Sequence, residues 1–274
     1  MMWSTQAELG PLAFGMLDTV LYVSTEQRAE LEPQYIHMLT GIRPPTPEFV
    51  NEQEVEGWLG GRRVRWVMTG NYIDPAEFPF VERAPRGTPP RPLVVGRVSR
   101  ADADKFPDDF PESYERLGLE HARFRVMGWG GKLLERWPRE RFDERWELLP
   151  PRAEPVPAFL HSLDLFVYDL SPRCRESWGR AVVEAMLTGV VPLIPADKRH
   201  HLHALVPHGE AGFHCANQAE FGHYARLLER DEKLRLQMSR RAREWAETRL
   251  CNAAEHLALW RRVFHGGDGV VPSN

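Results

Sequence analysis

Leu163-Asp164-Leu165-Phe166-Val167-Tyr168-Asp169-Leu170 and, after a short polar stretch, Arg175-Glu176-Ser177-Trp178-Gly179-Arg180-Ala181-Val182-Val183-Glu184-Ala185-Met186 together decide the fold. The first run is apolar, aromatic-rich and bounded by polar or turn residues, which reads as a short buried strand. The second changes character at Gly179: from there to Leu187 the composition is helical, and Gly189 followed by Pro192 stops the helix. Glu176 therefore falls on the loop after a strand, close to a helix N-terminus, with Glu184 about two turns further along. A carboxylate so placed can accept from hydroxyls, and the backbone N–H groups of the helix start beside it can donate to phosphates. The helix carboxylate reaches another hydroxyl pair.

Working outward, strand-like and helix-like segments alternate. Pro92–Val98 and Phe124–Met127 read as strands, each followed by a Gly- or Ser-containing turn, and Trp146–Leu149, Leu165–Leu170 and Val190–Ile194 continue the series. Helical stretches fall at Asp108–Leu117, Pro157–Leu163 and Arg180–Leu187. Short apolar strands separated by helices imply a parallel sheet with both faces covered. Ligands on such sheets bind at the carboxyl ends of the strands. Three turns fall there: Gly96–Arg100, Gly128–Gly131 and Ser171–Gly179. The tail from Gln218 to Phe264 is mainly helical and charged, with Asn252 placed to cap a last helix. Upstream, Thr19–Val23 and Arg65–Met68 read as strands, and Glu26–Met38 as a helix interrupted by Pro33. Ala84–Arg91, rich in proline and glycine, fits neither element and reads as a linker.

Composition narrows the classes. At 274 residues and 42% hydrophobic, the chain has material for one large domain or two modest ones. A formal net charge of −4 gives no general electrostatic footprint for nucleic acid or a membrane surface. Cys174, Cys215 and Cys251 are odd in number and widely separated, so they form neither a disulfide framework nor a zinc pattern, and they fit a reduced, cytoplasmic setting. No apolar run approaches the ~20 residues of a membrane span. The start, Met1-Met2-Trp3-Ser4, lacks the charged and apolar regions of a secretory signal. His200, His201, His203, His208 and His214 do not have the spacing of a compact tetrahedral metal site. Trp129, Trp137 and Trp146 read as core or interface in preference to base-stacking platforms.

The run Val94-Val95-Gly96-Arg97-Val98-Ser99, then Lys105, then Arg125-Val126-Met127-Gly128, resembles the start of the donor-binding domain of GT-B glycosyltransferases. Glu176, Gly179, Glu184-Ala185-Met186 and Gly189 resemble the E-x7-E signature of their retaining, family-4-like (group 1) branch. His208–Phe213 is similar to the loop and strand that follow it. Asp18–Ser24 and Thr69–Pro75 resemble the closing portion of the family's N-terminal domain. The resemblance implies an α/β fold in which residues 1–83 are a shortened N-terminal GT-B portion and 84–91 a linker. Residues 92–264 then form a Rossmann-like nucleotide-sugar donor-binding domain, followed by a flexible tail over 265–274. Three departures stand out. Lys105 is followed by Phe106-Pro107 where a glycine is common, the stretch from Arg97 to Lys105 is longer than usual, and Gly189 is separated from Pro192 by two residues.

The resemblance further implies a hexosyltransferase-like enzyme without a bound metal or cofactor. It would move a sugar from a UDP- or GDP-linked donor to an unknown acceptor, with retention. Glu176 is assigned by resemblance to sugar hydroxyls and Glu184 to ribose hydroxyls. Negative charge grows on the diphosphate as it leaves, and Arg97 and Lys105, with N–H groups around Trp178 and Gly179, are the candidates to offset it. Gly96, Gly128, Ser177, Trp178, Gly179 and Glu184 make up the expected donor-binding set. Retaining members react on one face of the sugar, the leaving phosphate helping to deprotonate the acceptor. Each residue also has a plainer reading. Glu184 alone is an exposed helix glutamate, Glu176 a first-turn acid favoured by the helix dipole, Arg97 and Lys105 surface cations, and the glycines tight turns. A second function stays open: a module that holds the nucleotide-sugar without turnover, or that works beside a partner supplying the acceptor half. A homo-oligomer formed through the helices that cover the sheet is one such arrangement.

Overall fold

Six short strands, three of them largely buried on both faces, form a parallel sheet that carries the loops of the candidate site. The computed structural model describes residues 19–25, 27–29, 65–198 and 200–265. The expected helix over Glu26–Met38 lies largely outside these residues, and so does the tail beyond His265. Two compact units are present: residues 72–253, and the described residues on either side of them.

In the smaller unit, β1 (Thr19–Tyr22) pairs in parallel with β2 (Arg65–Met68), as the two apolar runs predict. The Thr69 N–H extends the ladder to the Tyr22 carbonyl at 2.8 Å.

In the larger unit the strands are β3 (Leu93–Val98), β4 (Ala122–Met127), β5 (Trp146–Leu149), β6 (Leu165–Val167), β7 (Val191–Pro195) and β8 (Phe213–Cys215). Their order across the sheet is β5-β4-β3-β6-β7-β8, and every pairing is parallel. Between them run α1 (Phe110–Glu115), α2 (Lys132–Arg136), α3 (Val156–His161), α4 (Arg180–Leu187) and α5 (Leu202–Leu205). The helices α6 (Gln218–Arg230) and α7 (Glu232–Trp245) follow β8. A π-helical turn over Ala246–Leu250 closes this unit, and α8 (Ala253–His265), all but its first residue part of the smaller unit, follows in the chain. Asn252 stands directly before α8 and its amide donates back to the Thr248 carbonyl.

Several elements fall where the sequence puts them: Trp146–Leu149 and Arg180–Leu187 match to the residue. The strand beginning at Leu165 is shorter than its apolar run. Tyr168 N–H still donates to the Leu193 carbonyl at 2.9 Å, but the Asp169 carbonyl has turned away to accept from Arg97 at 2.6 Å. Helix α1 is likewise trimmed, starting beyond Pro107 with Pro111 in its first turn, where a missing N–H costs nothing.

Close packing fixes the sheet geometry. A Cβ on Gly96 would lie 2.1 Å from the Arg125 carbonyl oxygen across the β3–β4 pair, so the position admits glycine alone. The Asp164 carboxylate, nearly inaccessible, accepts from the Val94 N–H at 2.9 Å and from both terminal nitrogens of Arg91 at 2.6 and 2.7 Å, tying β6 to the entrance of β3. The buried Glu229 carboxylate on α6 accepts from the Glu120 and His121 N–H groups just before β4. One face of β3–β4–β5 is covered by an aromatic cluster in which Phe106, Phe110, Trp129, Trp137, Phe142 and Trp146 meet largely edge to face. All three tryptophans belong to this core, and the three cysteines are buried thiols.

Candidate functional site

Parallel strands deliver their carboxyl ends to one edge, and four loops gather there. The loop after β3 touches the one after β4 at Gly128, which adopts φ +102. A Cβ there would sit 1.8 Å from the Ser99 carbonyl oxygen, so glycine is what lets the two loops close. The loop after β6 carries Tyr168 to Gly179, and the one after β7 carries Ala196 to His201.

Lys105 and Glu176, placed on two different loops, form an ion pair with Nζ and Oε2 at 2.5 Å, both side chains largely buried. The Tyr168 hydroxyl donates to the same Oε2 at 2.8 Å, and the Gly179 N–H reaches Oε1 at 3.3 Å. The Glu176 backbone is fixed as well: its N–H donates to His200 Nδ1 at 3.1 Å, and its carbonyl accepts from the His201 N–H at 3.2 Å. Burial opposes ionisation of Glu176. The Lys105 charge, its hydrogen bond and those from Tyr168 and Gly179 outweigh that, holding the carboxyl below its ordinary range. Burial and the neighbouring carboxylate push the Tyr168 hydroxyl far up, so it stays a donor.

Helix α4 begins at Gly179 in the left-handed region, φ +82, with no side chain capping its first turn. That leaves donors and the positive end of the helix dipole facing the loop edge. Trp178 is buried and Ser177 half-buried beside it. Eight residues after Glu176, Glu184 is buried and accepts from Arg180 Nε at 2.7 Å. Burial raises its pKa, and Arg180 offsets part of the effect.

Arg97 is placed differently from the other cations. It is 0% exposed, and its guanidinium donates to the Asp169 carbonyl at 2.6 Å and the Lys105 carbonyl at 2.7 Å. Around the rim, Arg173 bridges Asp104 and Asp108, joining the Glu176 loop to the Lys105 loop by exposed ion pairs. Asp169 also lies at this edge, its carboxyl pushed up to about 6 by burial.

The structure thus brings Lys105, Glu176 and Gly179 into direct contact and sets Ser177 and Trp178 between them in the chain. Gly96 and Gly128 make the strand and loop approaches beneath. Tyr168, His200 and Phe106 are partners that the sequence reading did not single out. A separate cavity of about 580 Å³, lined in part by Glu210, Arg241, Glu244, Trp245 and Arg249, shares no residue with this constellation. Among the described residues no group of three or more His, Cys, Asp or Glu side chains could hold a metal ion, and no helix is long and apolar enough to cross a membrane.

A six-stranded parallel sheet with helices between its strands is the Rossmann-like architecture of a GT-B C-terminal domain. The family described as Glycosyl transferases group 1 matches residues 89–230, just over half the chain, and the chain belongs to that family. No curated protein matches the sequence. Among solved structures, S. aureus TarM in a complex that includes UDP is 14% identical with a TM-score of 0.69, covering 96% of this chain and 46% of its own. Anabaena HepE in complex with UDP-glucose is 16% identical with a TM-score of 0.66, over 95% of this chain and 77% of its own. The C-terminal domain of LpcC, a group 1 family protein from Francisella tularensis, is 17% identical with a TM-score of 0.51, over 65% of this chain and 98% of that domain. The chain spans about half the length of TarM.

Proposed function

We propose that this chain transfers a hexose from a UDP- or GDP-linked donor to an acceptor, with retention, and that residues 92–264 hold the donor. The observation that carries the reading is the Lys105–Glu176 pair set against the uncapped start of α4, at the carboxyl edge of the sheet. Membership of a glycosyl transferase family and the UDP-containing complexes of TarM and HepE support a nucleotide-sugar as the ligand.

In this reading the bond from the anomeric carbon to the diphosphate oxygen breaks, and the bond to the acceptor oxygen forms on the same face of the sugar. The acceptor proton passes to the leaving phosphate, and the nucleoside diphosphate departs. The Lys105 ammonium and the first N–H groups of α4 offset the charge gathering on that group. Glu176, held ionised, accepts from sugar hydroxyls, and Glu184 accepts from the ribose. For Lys105 and Glu176 this requires exchanging their mutual contact for contacts with the donor. Residues 1–83 contribute the N-terminal portion, and the buried, unpaired cysteines suit a cytoplasmic setting.

The test is binding of UDP-, GDP- and sugar-linked forms by calorimetry, followed by product assays with simple acceptors. Glu176→Gln removes a charge-assisted contact and is expected to weaken nucleotide-sugar binding about 10-fold or more. Unchanged binding and turnover in that variant would refute the site. Binding without transfer or donor hydrolysis would favour a module that holds the donor without turnover.

A further inference from the structure

Arg97 lies behind the Lys105–Glu176 pair and touches both sides of it. Its guanidinium lies over the Phe106 ring, 4.3 Å from the centroid, and over the Tyr168 ring, at 4.7 Å. One terminal nitrogen holds the Lys105 carbonyl and the other the Asp169 carbonyl. Each side of this clamp leads to one oxygen of Glu176: the Lys105 ammonium and the Tyr168 hydroxyl both donate to Oε2. We infer that Arg97 is a positioning residue, a buried staple holding the Lys105 loop against the end of β6 so that Lys105 and Tyr168 converge on Glu176, and that it does not touch the donor diphosphate.

The chemistry of the side chain fits the task. A planar guanidinium can donate to two carbonyls about its edge while both faces stack on rings, and an ammonium cannot. The loop it holds is tied at its ends, by Ser99 against Gly128 and by Phe106 in the aromatic cluster, and at its rim by the exposed Arg173–Asp104 pair. Between Val98 and Phe106 there is a single 3-10 turn, Ala103–Lys105, capped by the Asp102 side chain. With the two carbonyl bonds made and the side chain fully buried, the guanidinium is screened from an anion at the loop edge. The mechanical part of this inference stands by itself; its consequence for the donor rests on the function proposed above.

Amide hydrogen exchange on the full chain without ligand tests the mechanical part. Arg97→Met and Arg97→Lys are both expected to speed exchange over residues 99–106 and 168–177 by about tenfold or more, with β7 unchanged, since each loses charged hydrogen bonds to the clamped carbonyls. Exchange within about twofold of the parent in those segments would overturn the staple. Should the arginine variants fail to fold, Phe106→Leu removes one of the two rings against the guanidinium without stranding a charge, and about a threefold rise is expected.

A double-mutant cycle read by UDP affinity separates staple from phosphate contact. Acting through Lys105, Arg97→Met weakens UDP binding in the parent but changes it less than about twofold in a Lys105→Met background. Losses that multiply, or an Arg97→Lys variant that restores affinity, would show a direct charge contact and overturn the inference. If the parent binds neither UDP nor GDP, the proposed function falls, while the exchange result still decides the staple.

Discussion

Gly179→Ala puts the start of α4 to a quantitative test. The residue sits at φ +82, and a methyl built there would lie 2.2 Å from Leu202 Cδ2 on α5. Placing alanine in the left-handed region costs about 1–2 kcal/mol. Forcing the leucine terminus aside adds about 1–3 kcal/mol of overpacking. The sum, about 2–5 kcal/mol, is a large part of a typical folding stability. Gly209 provides the control: it has φ +77, but a methyl there meets nothing within 4 Å, so Gly209→Ala pays only the backbone term. The difference between the two variants isolates the contact with Leu202. It is expected at about 1–3 kcal/mol, or roughly 2–12 °C in melting temperature for a unit of this size. Urea and thermal unfolding of both variants measure it, and adding Leu202→Ala to Gly179→Ala should recover most of the excess. A Gly179→Ala variant within about 0.5 kcal/mol of Gly209→Ala would refute the packing of α4 on α5 and the donor geometry built on it.

Two carboxyls at the same edge should give opposite pH dependences. Asp169 is held at about 6 against 3.8, so the folded state binds the extra proton. Stability should fall by about 3 kcal/mol as pH rises through that window, and Asp169→Asn should abolish the fall in denaturation curves at pH 4 and 8. Glu176, lowered from 4.5, contributes stability above that value and loses it as pH falls through the lower folded-state value. Glu176→Gln should therefore remove an acid-side loss that the parent shows, read as a flatter melting-temperature profile below pH 4.5. Arg91→Met would strand the Asp164 carboxylate, whose side chain is 1% exposed, and is expected to destabilise by about 3–5 kcal/mol in urea titration.

The parity of β3 shows how much of the site was open to a sequence reading. Arg97 stands two and four residues from Val95 and Leu93, both fully buried, so alternation along a strand puts all three on one face. Together with Phe106 directly after Lys105, that pattern signals a buried arginine, yet the resemblance assigns this cation to a phosphate at the surface. Tyr168 carried a weaker signal: a phenol at the end of a buried strand needs a partner for its hydroxyl. His200 carried none, since nothing local separates it from its neighbours in Arg199-His200-His201.

The sequence by itself determined the order and type of most elements of the six-stranded sheet, though not α2 or α5, the position of the loops at the carboxyl edge, and the glycines those loops require. These follow from short-range periodicity and backbone freedom, which a few adjacent residues specify. Only the tertiary structure decided which side chains meet. Lys105 finds Glu176, Arg97 closes on Asp169, and His200 receives the Glu176 N–H, each across strands far apart in the chain. Such contacts depend on the strand order β4-β3-β6-β7 and on which face each loop leaves the sheet. Those are properties of the assembled core, which no local stretch of residues contains.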